Sequence, residues 1–174
     1  QTAGRFFINM ASLGYGGEVV EKAVGRKAFW SNWGAVYKIE GTIAYFKYPE
    51  TSCQLEVDGK TVYEGKFFGA FVGNGKANAS GLYWTPQAEF DDGKLDSFVF
   101  KKPDFFSMLR GTYEVKEATQ PSFEHHSCLG KNMKFTFSKP VPLELDGDFI
   151  GSATQFHFSV VPKALRVWKY LPTD

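Results

Sequence analysis

Residues 53–71, with the sequence CQLEVDGKTVYEGKFFGAF, decide the fold class of this chain. Apolar and polar residues alternate over residues 53–57, which is the two-residue period of a half-buried strand. Asp58-Gly59 follows, a dipeptide typical of the type I′ turn that joins two antiparallel strands. The returning strand is predicted to run over residues 61–71 and to become continuously apolar towards Phe71, as a strand buried on both faces would. The first element that the sequence predicts is therefore an antiparallel hairpin.

Similar patterns lie on both sides of this hairpin. Further strands are predicted at residues 5–9, 95–101, 133–137, 156–160 and 164–170. Apolar residues at helical spacing predict three short helices, at residues 18–24, 34–46 and 104–109. We therefore expect a mainly β protein, an antiparallel β-sandwich or barrel that carries a few short helices.

Length and composition limit the class of protein. The chain has 174 residues, of which 43% are hydrophobic and 17% aromatic, and this is enough for one folded domain with its own core. A formal net charge of +1 gives no electrostatic support for nucleic-acid binding or for a polybasic membrane anchor. Two cysteines, Cys53 and Cys128, are too few for a disulfide framework, so we expect reduced thiols in a cytoplasmic protein. Because a strand is predicted almost directly after Gln1, we expect a piece of a longer protein.

Two glycine-containing segments raise the question of a phosphate site, because glycines let backbone amides approach an anion closely. The loop with Gly73, Gly75 and Gly81 lacks the Walker A spacing, and no Ser or Thr follows Lys76. The segment at residues 14–17, GYGG, lacks the dinucleotide-binding spacing. Both segments also fit ordinary connections between elements, and for the first loop we favour that interpretation.

Two acidic turns are the main candidates for chemistry. The first, Asp91-Asp92-Gly93, offers the hard oxygen ligands that Mg²⁺ and Ca²⁺ prefer, without the spacing of an EF-hand loop. The second includes Asp146 and Asp148, which lie two apart and so point to the same side of an extended chain. One of them could accept the proton of an attacking hydroxyl while the other positions a cation. Each turn, taken alone, also fits a solvated hairpin turn.

Four motifs resemble, in order and spacing, the C-terminal domain of the bacterial diacylglycerol kinase and sphingosine kinase family of lipid kinases. They are RFFINMASLGYGGEVV (5–20), GAFVGNGKANASGLYWTPQAEFDDGKLD (69–96), LELDGDFIG (143–151) and FHFSVVPKALRVW (156–168). The resemblance covers nearly the whole chain. It implies that residues 1–174 form one β-sandwich domain, the acceptor-lipid half of a two-domain enzyme. The other half would be an ATP-binding α/β domain, whose glycine-glycine-aspartate-glycine-threonine motif is missing from this chain.

The resemblance also implies the residues of the site. Asp148 matches the family's proposed proton acceptor, which is usually a Glu and therefore one methylene longer. Asp146 matches the aspartate of the same motif, a partner in positioning a cation or the hydroxyl. Asp92 matches a metal-binding carboxylate, with backbone carbonyl ligands expected from Glu89 and Lys94. Mg²⁺ is the implied cofactor, and ATP is the co-substrate, bound mainly by the N-terminal domain.

The sequence thus predicts the C-terminal half of an ATP-dependent lipid kinase, a cytoplasmic transferase that phosphorylates a hydroxyl of a diacylglycerol-like or sphingoid lipid. Alone, this half is expected to be inactive. Its partners would be the lipid and its own N-terminal domain, with no nucleic acid and with peripheral contact to a membrane left open. Trp30 and Trp33 are candidates for an acyl-chain cleft or a bilayer contact. The alternative is a non-catalytic β-sandwich module that binds a lipid or sugar and holds a structural cation.

Overall fold

The computed structural model describes residues 4–26, 33–78 and 81–166. This part of the chain contains eight strands and three helices. In order they are β1 (Met10–Gly14), α1 (Tyr15–Arg26), α2 (Trp33–Lys47), β2 (Thr51–Val57), β3 (Lys60–Phe67), β4 (Gly69–Gly73), β5 (Leu95–Phe100), α3 (Phe105–Lys116), β6 (His125–Gly130), β7 (Asn132–Leu145) and β8 (Asp148–Ser159). The protein is mainly β and antiparallel, with a sandwich-like or barrel-like sheet, and this confirms the predicted fold class. None of the described helices has the length and apolarity to span a bilayer.

The long hairpin of β7 and β8 joins the two layers of the sandwich. The first part of β7 pairs with β2, which pairs with β3, and the last part of β7 pairs with β1. The sheet then continues through β4 and β5 to β6, while β8 accompanies β7 on its other side. The register of β7 against β8 shifts between Thr136 and Val141, and such irregularities let a strand bend. One hairpin therefore belongs to both layers.

The second layer consists of the end of β7 with β1, β4, β5 and β6, and a hydrophobic core lies on each of its two faces. The inner core contains apolar side chains from β1, β2, β4, β5 and β7, among them Leu13, Leu55 and Phe135, which are fully buried. The outer core is mostly aromatic and packs against α3, with Phe71 and Trp84 stacked at a centroid distance of 4.3 Å. Because β4 is buried on both faces, every one of its residues is small or apolar.

Helix α1 lies directly against the sheet because glycines allow the approach. Gly14 has a φ of 73°, a conformation that favours glycine, and it turns the chain from β1 into α1. A Cβ atom on Gly17 would lie 2.5 Å from the carbonyl oxygen of Pro142, and one on Gly16 would lie 2.9 Å from the side chain of Ser12. The glycines of residues 14–17 therefore serve a turn and a close packing contact.

Several predicted elements are confirmed. Asp58 and Gly59 have φ values of 48° and 81°, as a type I′ turn requires, and they connect β2 to β3. All three predicted helices form, each somewhat longer than expected. Asp104 is the N-cap of α3, where its carboxylate accepts a hydrogen bond from the backbone N–H of Ser107 at 3.0 Å.

Other predicted elements are wrong. Residues 5–9 are not a strand, because the Asp146 side chain accepts the backbone N–H groups of Ile8, Asn9 and Met10. The predicted strand at residues 61–71 is broken at Phe68, whose N–H donates to Phe100 and whose carbonyl accepts from Tyr15. Residues 164–166 of the predicted last strand are irregular. Residues 167–170, Trp30 and the side chain of Trp33 lie outside the described part.

Candidate functional site at one end of the sandwich

The two acidic turns lie at the same end of the second layer. Strands β5, β4, β1 and β7 are neighbours in that layer, and each is antiparallel to the next. The start of β5, which follows Asp92, and the end of β7, which precedes Asp146, are therefore at one edge. Three strand spacings separate them, a distance of roughly 14 Å. The fold brings the turns to one edge, and at this separation of the strand ends we do not expect one metal ion to bind a carboxylate from each turn.

Asp146 is the anchor of this edge. Its Oδ2 accepts the backbone N–H of Ile8 at 2.6 Å, and its Oδ1 accepts those of Asn9 at 3.0 Å and Met10 at 2.9 Å. Its own backbone N–H donates to the carbonyl of Met10 at 3.0 Å. A φ of 49° places Asp146 in the left-handed region, which a short polar side chain tolerates. Both carboxylate oxygens thus hold residues 8–10 against the β7–β8 turn.

Asp148 begins β8 on the other side of the same turn, where it pairs with Leu145. Its side chain is exposed and has no hydrogen-bond or ion-pair partner among the described residues. The turn is tight, with Gly147 at a φ of 96°. An exposed carboxylate without a partner among the described residues therefore lies on a tight turn, the second of the two acidic turns that the sequence predicts as candidates.

Glu144 is a buried carboxylate that the sequence analysis missed. Its side chain accepts hydrogen bonds from the hydroxyl of Ser12 and from the backbone N–H of Gly147, in the turn between the two aspartates. Burial raises the pKa of Glu144, and the negative charge of Asp146 adds to that rise, while the two hydrogen bonds oppose it. A single acidic residue within the buried end of β7 was the available signal.

The first acidic turn is an Asx-type turn with further carboxylates near it. Oδ1 of Asp92 accepts the backbone N–H of Lys94 at 2.8 Å, and Gly93 has a φ of 71°. Burial raises the pKa of Asp96, the nearby charges of Asp92 and Glu89 raise it further, and Lys94 lowers it. Within the described ranges, no three His, Cys, Asp or Glu side chains converge as metal ligands. A carboxylate oxygen with backbone carbonyls fits a hydrated Mg²⁺ and does not form a closed cage.

The glycine loop that follows β4 bonds to the segment that precedes β1. The backbone N–H groups of Asn74 and Gly75 both donate to the carbonyl of Asn9 at 2.9 Å. The Asn74 side chain donates to the carbonyl of Ile8, and the Thr85 hydroxyl donates to that of Gly75. Since the amides of Asn74 and Gly75 already have acceptors, they cannot cradle a phosphate, and this supports the favoured interpretation as a connecting loop.

Comparison with known proteins identifies the family. Residues 9–169 match the family model described as the YegS C-terminal NAD kinase beta sandwich-like domain. The chain belongs to this family. Curated relatives include probable lipid kinases YegS-like from Stenotrophomonas maltophilia, 29% identical over 91% of this chain, and from Pseudomonas aeruginosa, 27% identical over 94%. The chain spans about half the length of these relatives, 51% and 53% respectively.

A solved structure supports the fold of this YegS C-terminal domain. A putative diacylglycerol kinase from Bacillus anthracis strain Sterne matches with a TM-score of 0.58 and 17% identity, over 88% of this chain and 51% of that chain. At this identity the likeness shows the fold alone. The predicted resemblance to the C-terminal domain of a lipid kinase family is confirmed.

Proposed function

We propose that this chain is the acceptor-lipid half of an ATP-dependent lipid kinase, and that Asp148 accepts the proton of the lipid hydroxyl. The supporting observation is the open Asp148 carboxylate on a turn that Asp146 and Glu144 hold from both sides. Membership of a family whose curated relatives are named probable lipid kinases supports the class of reaction. A diacylglycerol-like or sphingoid lipid is the proposed acceptor.

The chemistry needs positioning more than covalent participation. Phosphoryl transfer requires the attacking hydroxyl in line with the phosphate, and a base that takes the hydroxyl proton as the new bond forms. An exposed carboxylate at an edge can meet an incoming hydroxyl without displacing an internal partner. Asp146, whose oxygens are bonded to backbone amides, keeps the turn in place and is a positioning residue for Asp148.

We propose that the second half of the enzyme covers this edge and binds ATP. Phe6, Ile8 and Phe90 are 81%, 56% and 63% exposed, and all three belong to segments at this end of the sheet. Such exposed apolar side chains are typical of a surface that meets another domain. Mg²⁺, with Asp92 and the carbonyls of Glu89 and Lys94 as ligands, would supply charge neutralisation near the phosphates. In this arrangement residues 1–174 are one domain of a cytoplasmic enzyme.

The test is the substitution Asp148→Asn in the full-length protein, with phosphate transfer from ATP to diacylglycerol and to sphingosine as the measurement. Loss of a general base lowers the turnover rate by about 10²- to 10⁴-fold. Asp148→Glu restores the carboxylate and is expected to keep most of the activity. Glu64→Gln, which changes an exposed carboxylate on β3, is the matched control and is expected to have no effect.

Full activity in Asp148→Asn would exclude this residue as the base. If the full-length protein transfers no phosphate and this chain binds a lipid or sugar unaided, the alternative of a non-catalytic binding module is correct.

A further inference from the structure

The start of β8, which carries Asp148, is held by few pairs of the β-ladder. Asp148 pairs with Leu145, and Phe149 pairs with Glu144. The register then shifts, so that the next residue, Ile150, has no partner on β7. Such a β-bulge disrupts the ladder locally and is common next to active sites. With two pairs between the turn and the bulge, the ladder alone gives the backbone at Asp148 limited support.

The side chain of Glu144 adds support at the turn itself. Gly147 lies in the two-residue loop of this hairpin, outside the ladder, and its backbone N–H donates to Oε1 of Glu144. Gly147 directly precedes Asp148 in the chain. The hydrogen bond therefore limits the rotation of the backbone on which the Asp148 side chain stands.

Ser12 fixes Glu144 in turn. The two residues lie opposite each other in the pairing of β1 with β7, and the Ser12 hydroxyl donates to Oε2 of Glu144. Both residues are buried, at 3% and 8% exposure. Each carboxylate oxygen of Glu144 thus has a donor, one in the second layer and one in the turn. A buried line of hydrogen bonds runs from Ser12 through Glu144 to Gly147.

Stability alone does not account for an acid at position 144. No Lys or Arg among the described residues forms an ion pair with Glu144. The hydrogen bonds from Ser12 and Gly147 offset only part of the cost of burying its carboxyl group. A methionine would fill a similar volume without that cost, but it would leave the Gly147 N–H without this acceptor. The bond to the turn is therefore what distinguishes Glu144 from an apolar residue.

We propose that Glu144, fixed by Ser12, is a positioning residue for Asp148; this inference rests on the proposed function, in which Asp148 accepts the proton of the lipid hydroxyl. Glu144 acts through Gly147 and does not itself meet the substrate. A base must lie within hydrogen-bond distance of the proton that it takes, and small displacements of a reacting group reduce the rate strongly.

Substitutions in the full-length protein test this inference, with phosphate transfer from ATP to diacylglycerol and to sphingosine as the measurement. Glu144→Met removes the acceptor and is expected to lower turnover about 10- to 100-fold with little change in KM for the lipid. Glu144→Gln keeps an acceptor oxygen and should retain most of the turnover. Ser12→Ala should lower turnover by a smaller factor than Glu144→Met.

Ser97 provides the matched control for Ser12. It is 2% exposed, and its hydroxyl contacts the Cys128 Sγ at 2.9 Å, away from the β7–β8 turn. Ser97→Ala therefore also removes a buried hydroxyl contact, and it should leave turnover unchanged. A loss in Ser97→Ala equal to that in Ser12→Ala would contradict a specific role of Ser12.

A double-mutant cycle separates positioning from general damage to the enzyme. If Glu144 acts through Asp148, Glu144→Met should lower turnover far less in Asp148→Asn protein than in wild type. Equal reductions in both backgrounds would overturn the inference, as would wild-type turnover in Glu144→Met. Should Glu144→Met fail to fold, Ser12→Ala in the same cycle gives the same test.

Hydrogen exchange of residues 145–149 in the full-length protein follows the turn without catalysis. This segment should exchange faster in Glu144→Met than in wild type or Glu144→Gln, and equal exchange in all three would overturn the inference. Full activity in Asp148→Asn contradicts the proposed function and overturns the positioning role with it. The exchange result distinguishes the two failures, because it reports whether Glu144 holds the turn in either case.

Discussion

Asp146 holds together two segments that are more than 130 residues apart in the sequence. Three backbone N–H groups of residues 8–10 donate to its carboxylate, and no β-ladder supplies those groups with other acceptors. Asp146→Ala removes all three acceptors and is expected to lower the free energy of unfolding by about 1–3 kcal/mol. Asp146→Asn keeps one carbonyl oxygen and should fall between that variant and wild type. Urea denaturation measures both, and unchanged stability in Asp146→Ala would contradict the anchoring role.

Glu144 gives the stability of the fold a specific dependence on pH. Its folded-state pKa is raised above the unfolded value of about 4.3, so the folded state binds the proton more tightly. The free energy of unfolding therefore falls as pH rises from the unfolded pKa through the folded one, and above that the cost of the buried charge is fully present. We expect Glu144→Gln to flatten this pH profile, because the variant has no titrating carboxyl group at this position. The amide still offers hydrogen-bond partners to Gly147 and Ser12, so the fold is kept. The midpoints of urea unfolding at several pH values, for wild type and variant, measure this profile. An unchanged profile in Glu144→Gln would contradict the role of Glu144 in the pH dependence of stability.

The sequence selected some residues of the site and missed others for physical reasons. Asp146 and Asp148 lie in a local turn motif, so their neighbours in sequence indicate them. Glu144 acquires its role from Ser12, which it faces across the pairing of β1 with β7. The N–H groups of residues 8–10 likewise depend on a distant side chain. Contacts between distant segments leave no periodic signal in either segment.

At the scale of elements, α1 provides a matched pair of glycines. A Cβ on Gly17 would meet the backbone of Pro142, whereas one on Gly25, in the same helix, has no atom within 4 Å. Gly17→Ala is expected to push α1 from β7 and to destabilise the protein by about 1–3 kcal/mol. Gly25→Ala should stabilise it by about 0.5–1 kcal/mol, because alanine favours the helix. Thermal and urea unfolding compare the two, and similar effects of both substitutions would contradict the packing explanation.

Local chemistry predicted some elements well. The turn at Asp58-Gly59 and the cap at Asp104 depend on the residues themselves, and both are present. Strand β6, with the sequence HHSCLG, has no clean alternation and was missed, because its place is set by pairing with β5. The predicted strand at residues 61–71 was divided because β3 pairs with β2 while β4 pairs with β1 and β5.

At the scale of the molecule, alternation and composition predicted an antiparallel sandwich, and the predicted class is correct. They did not predict how the layers are joined. The bend in the β7–β8 hairpin depends on which strands it meets, β2 along its first part and β1 along its last. The same bend delivers Asp146 and Asp148 to the edge near Asp92, so the connection between the layers also builds the candidate site.

The position of β1 affects how the chain is made. Of the strands described here β1 is synthesised first, yet one of its two partners, the end of β7, is translated more than a hundred residues later. At cellular rates of about 5–20 residues per second, β1 waits for several seconds with one edge unpaired. During that time it exposes an apolar strand to neighbouring nascent chains. We therefore expect translation speed to influence the yield of native protein, because the second layer of the sandwich can close only after Leu145 has been translated.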